Sequence, residues 1–139
     1  MIVVDTSVIV AFMKASDAAH ANVSAWIDAE RQELGTTPLI VSEADHLVFK
    51  LGGRNAAAAL RADLAIGAYV LEWWPEAIGA AMRIADRYAN LRVSLADASL
   101  VALADRVATI EIATLDERHF RVLRPLSGGD AFRLLPRDA

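Results

Sequence analysis

Cysteine is absent from the 139 residues, which excludes disulfides, thiolate metal sites and cysteine nucleophiles and agrees with a reducing compartment. Lysine is scarce: Lys14 and Lys50 are the only two, so twelve of the fourteen cationic side chains are Arg, the planar bidentate donor suited to phosphate oxygens. No apolar run approaches the ~18 residues that a membrane span needs. The N-terminus lacks a basic region followed by an apolar stretch and a small-residue cleavage site, so a cytoplasmic protein is expected. Gly and Pro are few and scattered, and there is no linker, repeat or low-complexity segment. What is present is a chain 55% hydrophobic and 23% charged, the composition of a packed globular protein. Its length suits one domain over residues 1–139. The net charge of −4 argues weakly against a nucleic-acid partner, although a total conceals patches.

The first residues, "MIVVDTSVIVAF", run three apolar side chains, Ile2 to Val4, straight into a carboxylate. A short, wholly apolar and partly β-branched run fits a strand buried on both faces in a parallel sheet, and a helix should follow at once. Residues 17–33 read as an amphipathic helix, with Ser16 as its cap and Val23, Trp26 and Ile27 on one face. "TTPLIVSEADHLVFKLGG" has Thr37 as cap, Pro38 in the first turn and Gly52-Gly53 as a stop. Residues 54–67 form a further helix, "AYVLEW" a strand, and "PEAIGAAMRIADRYA" a helix begun by Pro75. "SLADASLVALADRVA" is the last long helix, followed by a strand "IEIATL", a turn or short helix "DERHFR" and a final strand "FRLLP". Strands alternating with helices imply an α/β sandwich with a mainly parallel sheet.

Asp5 and Asp116 each follow an apolar strand, and Asp97 sits in a Ser94-Leu95-Ala96-Asp97 capping-box pattern. Taken singly, each is explained as a helix cap. Glu43 and Asp45 lie about 100° to either side of the apolar arc of their helix, so periodicity does not choose between them. Placed together, the acids mean more. In open parallel sheets the functional crevice lies beyond the carboxyl ends of the strands, where Asp5, Asp97 and Asp116 could converge. Were Glu43 to join them, each pair at ~5.5 Å and an effective dielectric of ~20 would cost about 3 kcal/mol, roughly 18 kcal/mol for the quartet. That exceeds the ~5–15 kcal/mol stability of a whole domain. Such a cluster must take up protons or divalent cations, and an all-oxygen site suits Mg²⁺ or Mn²⁺. Zinc does not fit, because Cys is absent and His20, His46 and His119 lack ligand spacing.

With "VVDTSV", "SEADHLV", "LADASLVALA" and "ATLDERHF" in this order and spacing, the chain resembles the PIN-domain nucleases, and more closely the VapC toxins of toxin–antitoxin pairs. The resemblance spans nearly the whole chain. It implies a PIN-like three-layer α/β/α sandwich with a mainly parallel central sheet of about five strands. It places the family's acidic quartet, catalytic and metal-binding, on Asp5, Glu43, Asp97 and Asp116, so that Glu43 is preferred to Asp45. Thr6, Ser7 and Thr114 match the small hydroxyl residues that orient carboxylates or water beside the acids. The implied activity is metal-dependent endoribonuclease cleavage of a structured RNA, tRNA or ribosomal RNA, leaving 5′-phosphate and 3′-hydroxyl ends. The implied partners are a VapB-like antitoxin and a second copy of the chain. Helices 17–33 and 54–67, with Trp26, Leu60 and Leu64, are candidates for the antitoxin groove, and "AIGAAMRIA" for a dimer contact.

An acidic pocket repels RNA, so cations must hold the backbone. Arg118, His119, Arg121 and Arg124 follow directly on Asp116 and are the first candidates, with Arg83, Arg87 and Arg92 as a second set. Other readings lack residues. A phosphoacceptor receiver needs a late strand-end Lys, and both lysines lie early; an Asp-x-Asp phosphatase motif is replaced by Asp5-Thr6-Ser7; a P-loop is missing. The alternative that remains is a PIN-like module that binds RNA or protein without cutting.

Overall fold

The computed structural model describes residues 1–139. Strand β1 (Ile2–Val4) is fully buried, as its apolar run requires, and occupies the centre of a five-stranded sheet. The other strands are β2 (Leu34–Thr36), β3 (Val70–Leu71), β4 (Glu111–Ala113) and β5 (Arg133–Leu135), in the order β3-β2-β1-β4-β5. Every pairing is parallel; Val3 lies opposite both Gly35 and Ile112, and Ile112 opposite Leu134. The helices are α1 (Thr6–Met13), α2 (His20–Ala29), α3 (Pro38–Ala65), α4 (Ala77–Arg87), α5 (Leu95–Arg106) and α6 (Glu117–Phe120), with a 3-10 turn at Ala89–Leu91. Right-handed crossovers put α1 to α3 on one face and α4 to α6 on the other, consistent with the packing of α1 on α3 and of α4 on α5. The result is the three-layer α/β/α sandwich, and the sheet is wholly rather than mainly parallel.

One core of 30 buried residues runs through both faces of the sheet. Helices α1, α3 and α5 supply most of its helical residues, and residues 98–104 of α5 are all buried, because this helix packs on both the sheet and α4. The two helical layers meet at the carboxyl edge of the sheet. There the Thr37 hydroxyl lies 2.8 Å from Ser99 Oγ, whose own proton goes to the Ala96 carbonyl at 2.6 Å.

Strand β2 falls where the sequence pattern offered no strand. It is three residues long and contains Gly35, a poor strand former, but a Cβ there would come within 2.5 Å of Met1 Sδ. Close packing of the terminus, not strand propensity, explains the glycine. Helix α2 begins at His20 rather than at Ser16, since Asp17 folds back to accept the Ala19 N–H at 2.8 Å and delays the first turn. The expected stop at Gly52-Gly53 is a kink: Gly53 has φ 84° and ψ −176°, and the chain resumes helix directly after it within α3. No helix is long and apolar enough to cross a membrane.

Candidate active site

Connections leave β1 toward β2 on one side, while β4 arrives on the other side after the crossover through α4 and α5. The sense of winding reverses between β1 and β4, which opens a crevice at their carboxyl ends. A cavity of about 470 Å³ lies there. Asp5, Glu43, Asp97 and Asp116 all line it, together with Thr6, Ser7 and His119. Four acids distant in sequence are thus brought to one opening.

Asp5 immediately follows β1 and is only 4% exposed. As the N-cap of α1 it accepts the Ser7 N–H at 3.3 Å. The same oxygen, Oδ2, also accepts the Ser7 hydroxyl at 2.6 Å and the Thr114 hydroxyl at 2.8 Å. Those hydroxyls in turn accept backbone N–H groups from the end of β4: Leu115 to Ser7 Oγ at 2.9 Å and Asp116 to Thr114 Oγ1 at 3.0 Å. Two strand ends are therefore tied together through a single carboxylate oxygen, and Oδ1 is left without a protein donor. The cap role and a ligand role do not compete at Asp5, because they use different oxygens.

Glu43 projects from the second turn of α3, and the Thr6 hydroxyl donates to its Oε2 at 2.8 Å. Asp45, the residue that periodicity could not separate from it, is turned to the opposite flank. There Arg61 grips it through two bonds of 2.7 and 2.9 Å, and the guanidinium holds its carboxyl below the usual range. The structure therefore places Glu43 in the crevice and Asp45 outside it.

Asp97 lies in the first turn of α5. Its N–H reaches the capping hydroxyl of Ser94 at 3.0 Å, but the reciprocal bond of a capping box is not made. Its carboxylate is free to enter the crevice, where Oδ2 lies 3.3 Å from His119 Nδ1. Burial, aided by the nearby charges of Asp5 and Glu43 and partly offset by His119, pushes its carboxyl up to about 6. Asp116 caps α6 through the Arg118 N–H at 3.1 Å, and its Oδ2 lies 3.6 Å from the same His119 nitrogen. Ligand atoms of Asp97, Asp116 and His119 all lie within 4.8 Å of one another. A raised carboxyl among acids, an Asp5 oxygen without a donor and five carboxylates in the lining beside the His119 imidazole form a donor set that fits a hard divalent cation.

The expected RNA contacts separate. His119 faces the crevice, whereas Arg118, Arg121 and Arg124 do not line it. Arg121 is held by Asp138 at 2.7 Å and Glu117 at 3.3 Å, and Arg124 by the Asp130 carbonyl. In the expected antitoxin groove, Leu60 is 1% exposed, and Trp26 and Leu64 are partly buried against the core. Sequence reasoning missed Asp17, placed Arg92 only in the second set of RNA contacts and read Ser94 only as a cap; all three line the crevice. Asp17 and Arg92 lie in loops, where no periodicity reports direction.

Fold and crevice together define a class: a doubly wound parallel domain that gathers carboxylates at its switch point. Residues 2–124 match the PIN domain model. Over 135 residues the chain is 42% identical to Ribonuclease VapC26 of Mycobacterium tuberculosis (strain ATCC 25618 / H37Rv), covering 96% of this chain and 99% of that protein. The crystal structure of Mycobacterium tuberculosis VapC20, described as a sarcin–ricin loop cleaving toxin, shares the fold. Its TM-score is 0.79 over 85% of this chain and 92% of that one, at 21% identity. The chain belongs to the PIN-domain family and, within it, to the VapC ribonucleases.

Proposed function

We propose that this chain is the toxin of a toxin–antitoxin pair and cuts a structured cellular RNA, tRNA or ribosomal RNA, at the crevice formed by Asp5, Glu43, Asp97 and Asp116. The observation that carries the reading is the meeting of these four acids at the β1–β4 switch point in a member of the VapC ribonucleases. PIN nucleases depend on divalent metal, and the cation proposed here is Mg²⁺ or Mn²⁺, held by the four carboxylates. When bound, it supplies Lewis-acid charge and an activated water for in-line displacement at phosphorus. The water oxygen forms the new P–O bond as it gives up a proton, and the bond to the 3′ oxygen breaks as that oxygen takes one up from solvent, leaving 5′-phosphate and 3′-hydroxyl ends.

The chain's own residues prepare that chemistry. Ser7 and Thr114 hold Asp5 through Oδ2 and leave Oδ1 without a protein donor. Thr6 does the same for Glu43, whose helix flank is otherwise exposed. His119 spans Asp97 and Asp116 and keeps their carboxylates aligned. A VapB-like antitoxin and a second copy of the chain are the proposed partners, in the cytoplasm. The test is Mg²⁺- or Mn²⁺-dependent cleavage of tRNA and ribosomal RNA by wild type, Asp5→Asn and Asp97→Asn, with the 5′ ends of the fragments sequenced. Equal activity in all three proteins excludes the site, and RNA binding by wild type with no cleavage favours the non-catalytic module.

A further inference from the structure

We propose that Arg92 holds a phosphate of the RNA backbone at the mouth of the acidic crevice, a reading that rests on the ribonuclease function above. The crevice is lined by five acids and by a single cationic side chain of the Lys or Arg type, which is Arg92. Four other arginines are committed elsewhere: Arg61, Arg121 and Arg133 form ion pairs with Asp45, Asp138 and Glu111, and Arg106 lies over the Trp74 ring at 4.7 Å; Arg83, Arg87 and Arg118 are unpaired but do not line the crevice. The Arg92 guanidinium makes no hydrogen bond or ion pair, although it shares the opening with carboxylates. It is exposed, charged and unpaired at the one place where a polyanion must approach a negative pocket.

The backbone gives a second, independent observation. Arg92 has φ 53° and ψ 43°, the left-handed conformation, where it closes the 3-10 turn Ala89–Leu91. Helix ends that need this conformation favour Gly or Asn, because a Cβ there is strained. Ala108 adopts it too, at the end of α5, but does not line the crevice, so the conformation alone signals nothing. At Arg92 the conformation sets a long cation on the rim of the site, at a position where glycine would be unstrained. The next residue, Val93, is buried in the core and Ser94 caps α5, so the Arg92 Cα is fixed while its side chain reaches into solvent. A guanidinium mounted in this way offers paired N–H donors to two non-bridging phosphate oxygens. It would orient the strand beside the carboxylates and take no part in bond breaking, which makes it a positioning residue.

The test uses a stem–loop RNA that wild-type protein cuts, fluorescently labelled, with binding measured in the Asp5→Asn background. Adding Arg92→Ala should weaken binding about tenfold and lower the slope of log Kd against log salt by ~0.7–0.9, the contribution of one phosphate contact. In the otherwise wild-type enzyme the same change should raise KM more than it lowers kcat. Arg92→Lys should restore the slope but not the full affinity, since the paired donors are lost. Arg92→Gly relieves the left-handed strain, so its thermal midpoint should be no lower than wild type while its RNA binding falls as in the Ala variant. An unchanged salt slope in the Ala and Gly variants overturns the proposal. So does a loss of affinity in Arg92→Gly that is matched by a drop in midpoint, which marks Arg92 as structural. Wild-type protein that cleaves neither tRNA nor ribosomal RNA overturns the ribonuclease reading, and this proposal with it.

Discussion

Replacing Asp97 with Asn removes a charge from the crevice while keeping its shape, and the metal-free protein should become more stable for it. In the folded chain the Asp97 carboxyl is raised from 3.8 to about 6, mainly by burial and then by Asp5. Between those values the folded protein keeps a proton that the unfolded chain has lost. Wild-type stability therefore falls as pH rises through this window, and the deficit persists at every higher pH. A displacement of about two pH units corresponds to at most ~3 kcal/mol. The loss of a carboxylate from the first turn of α5 takes back ~0.5 kcal/mol, and solvent reaching the open crevice weakens the repulsion further. A net gain of ~1–2 kcal/mol at pH 7.5 is expected for the Asn variant, or ~4–8 °C in melting temperature for a chain of this size. Urea unfolding in chelator at several pH values measures it, and the gap between the proteins should narrow toward pH 4. Adding millimolar Mn²⁺ should reverse the order, because cation binding stabilises only the fold that holds it well. An Asn variant no more stable than wild type at pH 7.5 in chelator refutes the claim that burial and the neighbouring acids make the Asp97 charge unfavourable in this crevice.

Four further outcomes are expected. Asp5→Asn should lower RNA cleavage by at least ~100-fold while the protein stays folded, since the amide oxygen still accepts the Ser7 and Thr114 hydroxyls; RNA cleavage and circular dichroism check the two halves. Thr114→Ala leaves the Asp116 N–H without its acceptor and Asp5 short of one donor, so stability should fall by ~1–3 kcal/mol together with activity, and Thr114→Ser should recover both. Gly53→Ala forces a Cβ onto φ 84° and ψ −176°, which should cost ~1–3 kcal/mol in urea unfolding at a position far from the chemistry. Cleavage should fall steeply as salt rises from ~50 to ~200 mM, and a flat profile would contradict an electrostatically held substrate.

Much of the fold was written in local pattern. The central strand was legible because Ile2 to Val4 is apolar on both faces, and the start of α3 because Thr37 and Pro38 mark it. Strand β2 was not legible: three residues with a glycine carry no periodicity, and their pairing is decided by β1 and β3 on either side. The Gly53 kink left the two halves of α3 readable as separate helices, since a glycine run breaks the 3.6-residue pattern whether or not the chain turns away.

The sequence by itself determined which acids were available and where they stood relative to strand ends, because strand and helix termini are local events set by a few neighbouring residues. It also determined, through the absent cysteine and the lack of histidine spacing, that any metal here meets chiefly oxygen. Only the tertiary structure decided which acids meet. Glu43 and Asp45 are equivalent on an isolated helix, and it is Thr6 on one side and Arg61 on the other that send one into the crevice and the other to the surface. The same holds for the cations. Arg121 and Arg124 follow Asp116 closely in sequence yet are bound to other partners, whereas Arg92 reaches the crevice from a loop between α4 and α5. Side-chain direction in a loop depends on contacts distant in sequence, and those exist only once the sheet has assembled.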